Sequence, residues 1–142
     1  MKARAVAAAL ALTALTGCAS LAPGVDAQAS APQSSPLPRN TVAEAYYHYA
    51  MAQLHARAGR IKDAVAAGRE AIQRDPGSPV LWTQLARWLS QVNEPAEALA
   101  AALKAVALDP SHIPARFALA DLYRGQRRFA EAEAELEKII AL

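Results

Sequence analysis

Residues Ala86 to Pro110 read ARWLSQVNEPAEALAAALKAVALDP, and Ala52 to Pro76, 34 positions earlier, read AQLHARAGRIKDAVAAGREAIQRDP. Set one above the other, Ala64 falls on Ala98, Ala71 on Ala105, and Asp75-Pro76 on Asp109-Pro110. A third copy, ADLYRGQRRFAEAEAELEKIIAL, starts at Ala120, with Ala132 in register and Ile139 where the other two carry alanine. A fixed period of this length marks a repeat architecture. Each unit is too small to bury its apolar face alone and does so by stacking on its neighbours.

The punctuation inside each copy is helical. Thr41-x-x-Glu44 has the form of a capping box, and Ser78-Pro79 is a cap followed by proline in the first turn. Asn93-Glu94-Pro95 opens another helix, and Gly59 can close the first. These signals predict six helices over 45–58, 61–75, 79–91, 95–108, 113–125 and 128–141. Composition agrees: hydrophobic residues make up 54%, much of it alanine, the best helix former, while aromatics are 6%. The expected class is all-α. Alanines at the helix crossings let backbones close up, and Trp82, Leu85, Leu99, Leu103, Leu119 and Leu136 are expected to fill the spaces between.

The spacing small–x11–small–x6–small–x4–Pro resembles the tetratricopeptide repeat (TPR) across Thr41 to Leu142, with repeats at about 45–78, 79–112 and 113–142. The second copy fits best, through Trp82, Leu85, Ala86, Leu89, Ala98, Ala105 and Pro110. The first departs at His48 and His55, where the family favours Trp and Tyr; the third has Arg116 in place of Trp and stops before its closing proline. The resemblance implies a helix-turn-helix solenoid whose first helices line a concave groove that takes a protein or peptide partner. By position, Tyr46, Tyr49, Gln53 and Arg57 would face that groove from the first repeat. Thr83, Arg87, Ser90 and Gln91 would do so from the second, and Phe117, Asp121 and Arg124 from the third. Tyrosine and arginine are common interface anchors, and three arginines on one wall suit a partner with acidic groups or a free carboxylate. The alternative is a solvated groove whose arginines pair with Asp121 and its neighbours. The carboxylate-clamp form of the repeat is absent, since Tyr49, Gln53, Gln84, Pro114 and Ala118 stand where lysine and asparagine would be needed. A chaperone-type acidic tail is therefore not the expected occupant.

Upstream of the repeats the chain has a different character. Met1 to Arg4 is short and basic, and Ala5 to Leu15 is an apolar run, the layout of an export signal and too short to span a bilayer. Leu15-Thr16-Gly17-Cys18 then resembles the bacterial lipoprotein box, with the only cysteine of the chain at its end. The resemblance implies a diacylated lipid on the Cys18 sulfur through a thioether, cleavage before Cys18 that removes a signal peptide at 1–17, and acylation of the new amino terminus, with palmitate among the chains. Two or three acyl chains give stable anchoring where one does not. The competing reading is an ordinary secretory signal with a chance cysteine. Ala19 after the cysteine resembles an outer-membrane address. Residues 18–40, rich in Pro, Ser, Gln and Ala, read as a disordered linker, reaching roughly 70 Å if fully extended.

Charge narrows the partners. The formal net charge is +2, from 15 Lys+Arg and 13 Asp+Glu. Loss of Lys2 and Arg4 with the signal would leave 13 of each, so there is no electrostatic case for nucleic acid. No Gly-rich phosphate loop, metal-ligand spacing or nucleophile–base pair occurs, and His48 and His55, seven apart, do not have the adjacent-turn spacing of a zinc pair. Neither catalysis, a cofactor nor a metal is expected. Ser78 and Ser111 read as helix caps. The last helix looks acidic on its outside through Glu131, Glu133, Glu135 and Glu137, while Leu136, Ile139 and Ile140 have no following repeat to cover them. That end is either a second interface, for self-association or a partner helix, or a small exposed patch. The expectation as a whole is a lipid-anchored scaffold in the periplasm, at the outer membrane, whose TPR groove assists an envelope assembly. The alternative is a structural lipoprotein that self-associates through its C-terminal helix.

Overall fold

In the computed structural model, Asn40 rather than Thr41 caps the first helix. Its Oδ1 accepts a hydrogen bond from the Ala43 amide at 3.2 Å, so the helix begins a turn earlier than expected. The capping box does not form, because Glu44 instead pairs with Arg74 of the next helix. The structure describes residues 40–142; the expected signal peptide, Cys18 and the linker as far as Arg39 lie outside the described residues.

Six helices follow in order: α1 (Thr41–Arg57), α2 (Ile61–Arg74), α3 (Pro79–Gln91), α4 (Pro95–Leu108), α5 (Ile113–Gly125) and α6 (Phe129–Ile140). No strand occurs among the described residues. Ser78 caps α3 and Pro79 is its first residue, and prolines also open α4 and α5. Ser111 is not a cap: its amide and hydroxyl both donate to Asp109 Oδ1, at 2.8 and 2.6 Å, and His112 stands at the start of α5. The three helix-to-helix turns inside the repeats share one backbone device. Gly59, Asn93 and Arg127, spaced 34 apart, have φ of 74°, 62° and 60°. Glycine takes this left-handed conformation freely and asparagine tolerates it, but arginine there is strained. Arg127→Gly should therefore raise stability by about 1 kcal/mol, measured by urea unfolding.

Each helix packs mainly on its hairpin partner, α1 on α2, α3 on α4 and α5 on α6. Between hairpins, α2 packs on α3, α4 on α5, and α3 on α5. This is the all-α solenoid of three helix-turn-helix repeats. Small residues set its spacing: Ala52, Ala64, Ala71, Ala86, Ala98, Ala102, Ala105 and Ala115 are all fully buried. Leu85, Trp88, Leu89, Leu119 and Leu122 fill the core between them. Leu103 and Leu136 do not fill inter-helix spaces as expected; both point outward, at 45% and 41% exposure. Trp82 and Leu99 are half-buried.

Glu135 overturns the expectation of an acidic outer face on α6. It is buried, and its two oxygens meet Arg116 Nη1 and Lys138 Nζ, each at 2.7 Å. Arg116, which stands where the second repeat has Trp82, is also buried, and its Nε donates to the Pro110 carbonyl at 2.7 Å. Trp82 Nε1 donates to the equivalent carbonyl, Pro76, at 2.9 Å. The arginine thus keeps the donor of the tryptophan it replaces, and its charge is met by a glutamate that replaces Ala101.

Candidate functional site

The first helices of the three repeats, α1, α3 and α5, carry the wall on which partner contacts were expected. Their side chains divide into three groups. Tyr46 and Phe117 are exposed, at 66% and 47%, and Val80 joins them at 43%, a residue that sequence reasoning missed. Val80 is one helical position after proline, where an apolar residue usually marks packing; only the structure shows it open.

Tyr49 and Gln53 are half-buried and bound to each other, Gln53 Nε2 donating to the Tyr49 hydroxyl at 2.6 Å. The Tyr49 ring lies tilted against Trp88, centroids 6.4 Å apart, so it belongs as much to the core as to the wall. Thr83 is not a wall residue at all. It is 1% exposed, and its hydroxyl donates to the Pro79 carbonyl one turn back, at 2.7 Å. α3 has a neighbour on each side, and a short side chain in its middle cannot reach past them.

Arg57, Arg87 and Gln91 are exposed. Neither Arg57 nor Arg87 has an ion partner within the described residues. Arg124 differs: its Nη2 lies 2.8 Å from Asp121 Oδ1, both side chains being largely solvated. So two of the three expected guanidinium groups are available and the third is already engaged. Arg87, Ser90, Gln91, Phe117 and Asp121 border one depression of about 280 Å³ between α3 and α5. Tyr46, Tyr49, Val80 and Leu81 border a smaller one of about 60 Å³ between α1 and α3.

A wider and more apolar furrow, about 540 Å³, lies between α2 and α4, floored by Ile72, Trp82, Leu85 and Ala101 and edged by Arg69 and Lys104. It was not foreseen, although Ala100-Ala101-Ala102 leaves little side chain to close it. Gln73 and Glu97 also line it, and Arg69 and Glu97 are already paired with each other at 2.6 Å. The α1–α3–α5 wall combines exposed Tyr46, Val80 and Phe117 with the exposed Arg57 and Arg87 guanidinium groups.

Two carboxyl groups are held below their ordinary range. Asp109 is held by the Ser111 hydroxyl and then the Ser111 amide, and Glu131 chiefly by Arg128. Neither belongs to α1, α3 or α5. Among the described residues no three His, Cys, Asp or Glu side chains gather as metal ligands, and no helix is long and apolar enough to cross a membrane. Of the second candidate surface, Leu136 and Ile140 are exposed, Ile140 at 85%, and Ile139 is half-buried.

A family model described as "Domain of unknown function (DUF7017)" matches residues 45–142. No curated protein matches the chain. Solved structures similar to it include TPR domains. The second TPR domain of Spaghetti (RPAP3), bound to the HSP90 peptide SRMEEVD, aligns with TM-score 0.66 at 18% identity, covering 70% of this chain and 92% of that one. The first TPR domain of the same protein, bound to the same peptide, gives 0.68 at 21%, covering 70% and 79%. MamA gives 0.66 at 20%, covering 72% of this chain and 59% of its own. At these identities the likeness is one of fold.

Proposed function

We propose that this chain, which belongs to the DUF7017 family, is a non-enzymatic scaffold of the cell envelope that holds an extended peptide or protein segment along α1, α3 and α5. The observation that carries this reading is the pairing of two unengaged guanidinium groups, Arg57 and Arg87, with exposed Tyr46, Val80 and Phe117 on the same wall. Apolar area with fixed cations suits a segment that carries acidic or free carboxylate groups beside apolar side chains. The peptide-bound Spaghetti domains support the use of this fold for peptides. The lysines and asparagines of a carboxylate clamp are missing, so the segment is not a chaperone-type tail.

Membrane attachment through acylated Cys18, with Ala19 directing the protein to the outer membrane facing the periplasm, completes the proposal. Its support is the Met1–Cys18 layout alone. Residues 19–40 would then hold the repeats away from the bilayer, where a partner of the envelope can reach the groove.

One set of cultures tests both halves. With a photo-reactive amino acid replacing Phe117 in the full chain, a cross-linked partner is expected in intact envelopes, and none with the same group at Lys104 on the outer face. Adding Arg57→Glu and Arg87→Glu should cut the adduct by at least about tenfold, the loss of roughly 1.4 kcal/mol or more. In parallel, Cys18→Ser should abolish palmitate labelling and release the protein from the membrane pellet. Equal adducts from both sites would sink the groove reading, and undiminished labelling would sink the anchor.

A further inference from the structure

The two ends of the solenoid carry the two halves of its own internal interface. Positions that face the preceding repeat are Leu81, Leu85 and Trp88 on α3, and Ala115, Leu119 and Leu122 on α5, all buried. Their counterparts on α1, displaced by 34, are Tyr47, Met51 and Leu54. Tyr47 and Leu54 are 63% and 56% exposed, and Met51 is only partly covered.

The receiving half is equally regular. On α2 it is Gly68, Ala71 and Ile72, all buried. On α4 it is Ala102, Ala105 and Val106, the first two buried and the third half-buried. On α6 the same positions are Leu136, Ile139 and Ile140, and no described helix lies over them. Gly68 shows the register directly: a methyl group built on it would lie 2.8 Å from the Trp88 ring and 3.6 Å from Leu85. By the same register, Leu136 of one copy would meet Leu54 and Met51 of another.

Across the first internal junction, Arg69 Nη2 meets Glu97 at 2.6 Å and Glu94 at 3.7 Å. The residue 68 positions after Arg69 is Glu137, and the residue 34 before Glu94 is Arg60. The counterpart of Glu97 is Asp63, which Arg60 already meets at 3.6 Å, so a junction between two copies would set Glu137 against a self-neutralised Arg60–Asp63 pair.

We infer that copies of this protein associate head to tail, α6 of one seating α1 of the next in the register of the internal repeats. The occupant of each open end is a second copy, because the surface complementary to α6 in position and apolarity is the one at the other end of the same chain. Such a contact is heterologous, so it closes into a ring or extends as a filament. It leaves the α1–α3–α5 wall of every copy free and does not rest on the groove reading.

The test uses the full chain in a non-ionic detergent, with mass read by sedimentation across a concentration series. Wild type is expected to climb past about twice the mass of one chain. Leu54→Asp and Ile140→Asp each place a charge on an exposed position of one end, so each variant should keep its helical circular dichroism and remain a single chain. Each also retains one intact end of opposite kind. An equimolar mixture of the two should accordingly form pairs of about two chain masses and nothing larger.

Three results would overturn the inference. Wild type that stays a single chain at every concentration is one. Leu54→Asp still forming dimers is another, since it would mean a symmetric contact through α6 alone. The third is a mixture of the two variants that does not pair.

Discussion

Glu135→Ala is expected to destabilise the third repeat by about 3–5 kcal/mol, because it leaves the Arg116 guanidinium buried with only the Pro110 carbonyl for a partner. Both side chains of this pair are about nine-tenths buried, so water cannot replace the lost carboxylate. The reverse truncation is milder in charge terms. Without Arg116, Glu135 still receives Lys138 Nζ at 2.7 Å from a half-exposed position. The informative variant is the double change Arg116→Trp with Glu135→Ala, which reproduces the pair that the second repeat already holds, Trp82 and Ala101. The tryptophan can donate to the Pro110 carbonyl as Trp82 does to Pro76, and no charge remains to be solvated. Replacing a buried ion pair by packed apolar groups is often neutral or better, so the double variant should return to within about 1 kcal/mol of wild type. Urea unfolding gives the sum, and hydrogen exchange in α5 and α6 shows that the loss is local, as nearest-neighbour coupling in a repeat array requires. A double variant as unstable as Glu135→Ala alone would mean that the pair does more than neutralise itself.

That pair also shows what the repeat spacing could and could not reveal. The period of 34 located the helices because close backbone approach admits only small side chains at Ala52, Ala64 and their equivalents, and at Ala71 and Ala105. Side-chain destination is a different matter. Thr83 and Phe117 occupy the same repeat position, yet one is 1% and the other 47% exposed. Helical periodicity gives an angle around a helix; how far neighbours reach over that angle depends on side-chain length and on place in the stack. Glu135 looked solvent-facing among alternating glutamates, but on a 3.6-residue helix it lies on the stripe of Ala132 and Ile139. The signal was present as a paired exception: Arg for Trp and Glu for Ala, both departures from the second repeat, 19 residues apart in chain and in contact in space.

The wall residues were read from the family resemblance, and most of them do lie at the surface. What no pattern conveyed is which of them were already occupied. Arg124 is tied to Asp121 and Tyr49 to Gln53, while Arg57 and Arg87 remain available. Hydrogen bonds between long side chains depend on rotamers, and these are decided after the helices have packed.

At the first internal junction, Trp88→Ala should be comparably severe, at about 3–5 kcal/mol, since the ring is 4% exposed and lies between α1, through Tyr49, and α2, through Gly68. The fit of the ring against Gly68 makes a sharper test than the loss alone. Gly68→Ala in the wild-type background adds a methyl group 2.8 Å from Trp88 Cζ3 and 3.2 Å from Cε3. A buried indole has little room to yield, so this overpacking should cost about 1–3 kcal/mol and outweigh the helix propensity that alanine contributes, about 1 kcal/mol. With Trp88→Ala already in place the obstruction is gone and Leu85 remains at an ordinary contact distance of 3.6 Å. The same Gly68→Ala should then stabilise by about 1 kcal/mol. A change of sign between the two backgrounds is the expected outcome of the double-mutant cycle. If Gly68→Ala has the same effect in both, the ring does not set the approach of α2 to α3. The register carried from that contact to the open ends, Leu136 against Leu54, would then lose its structural template.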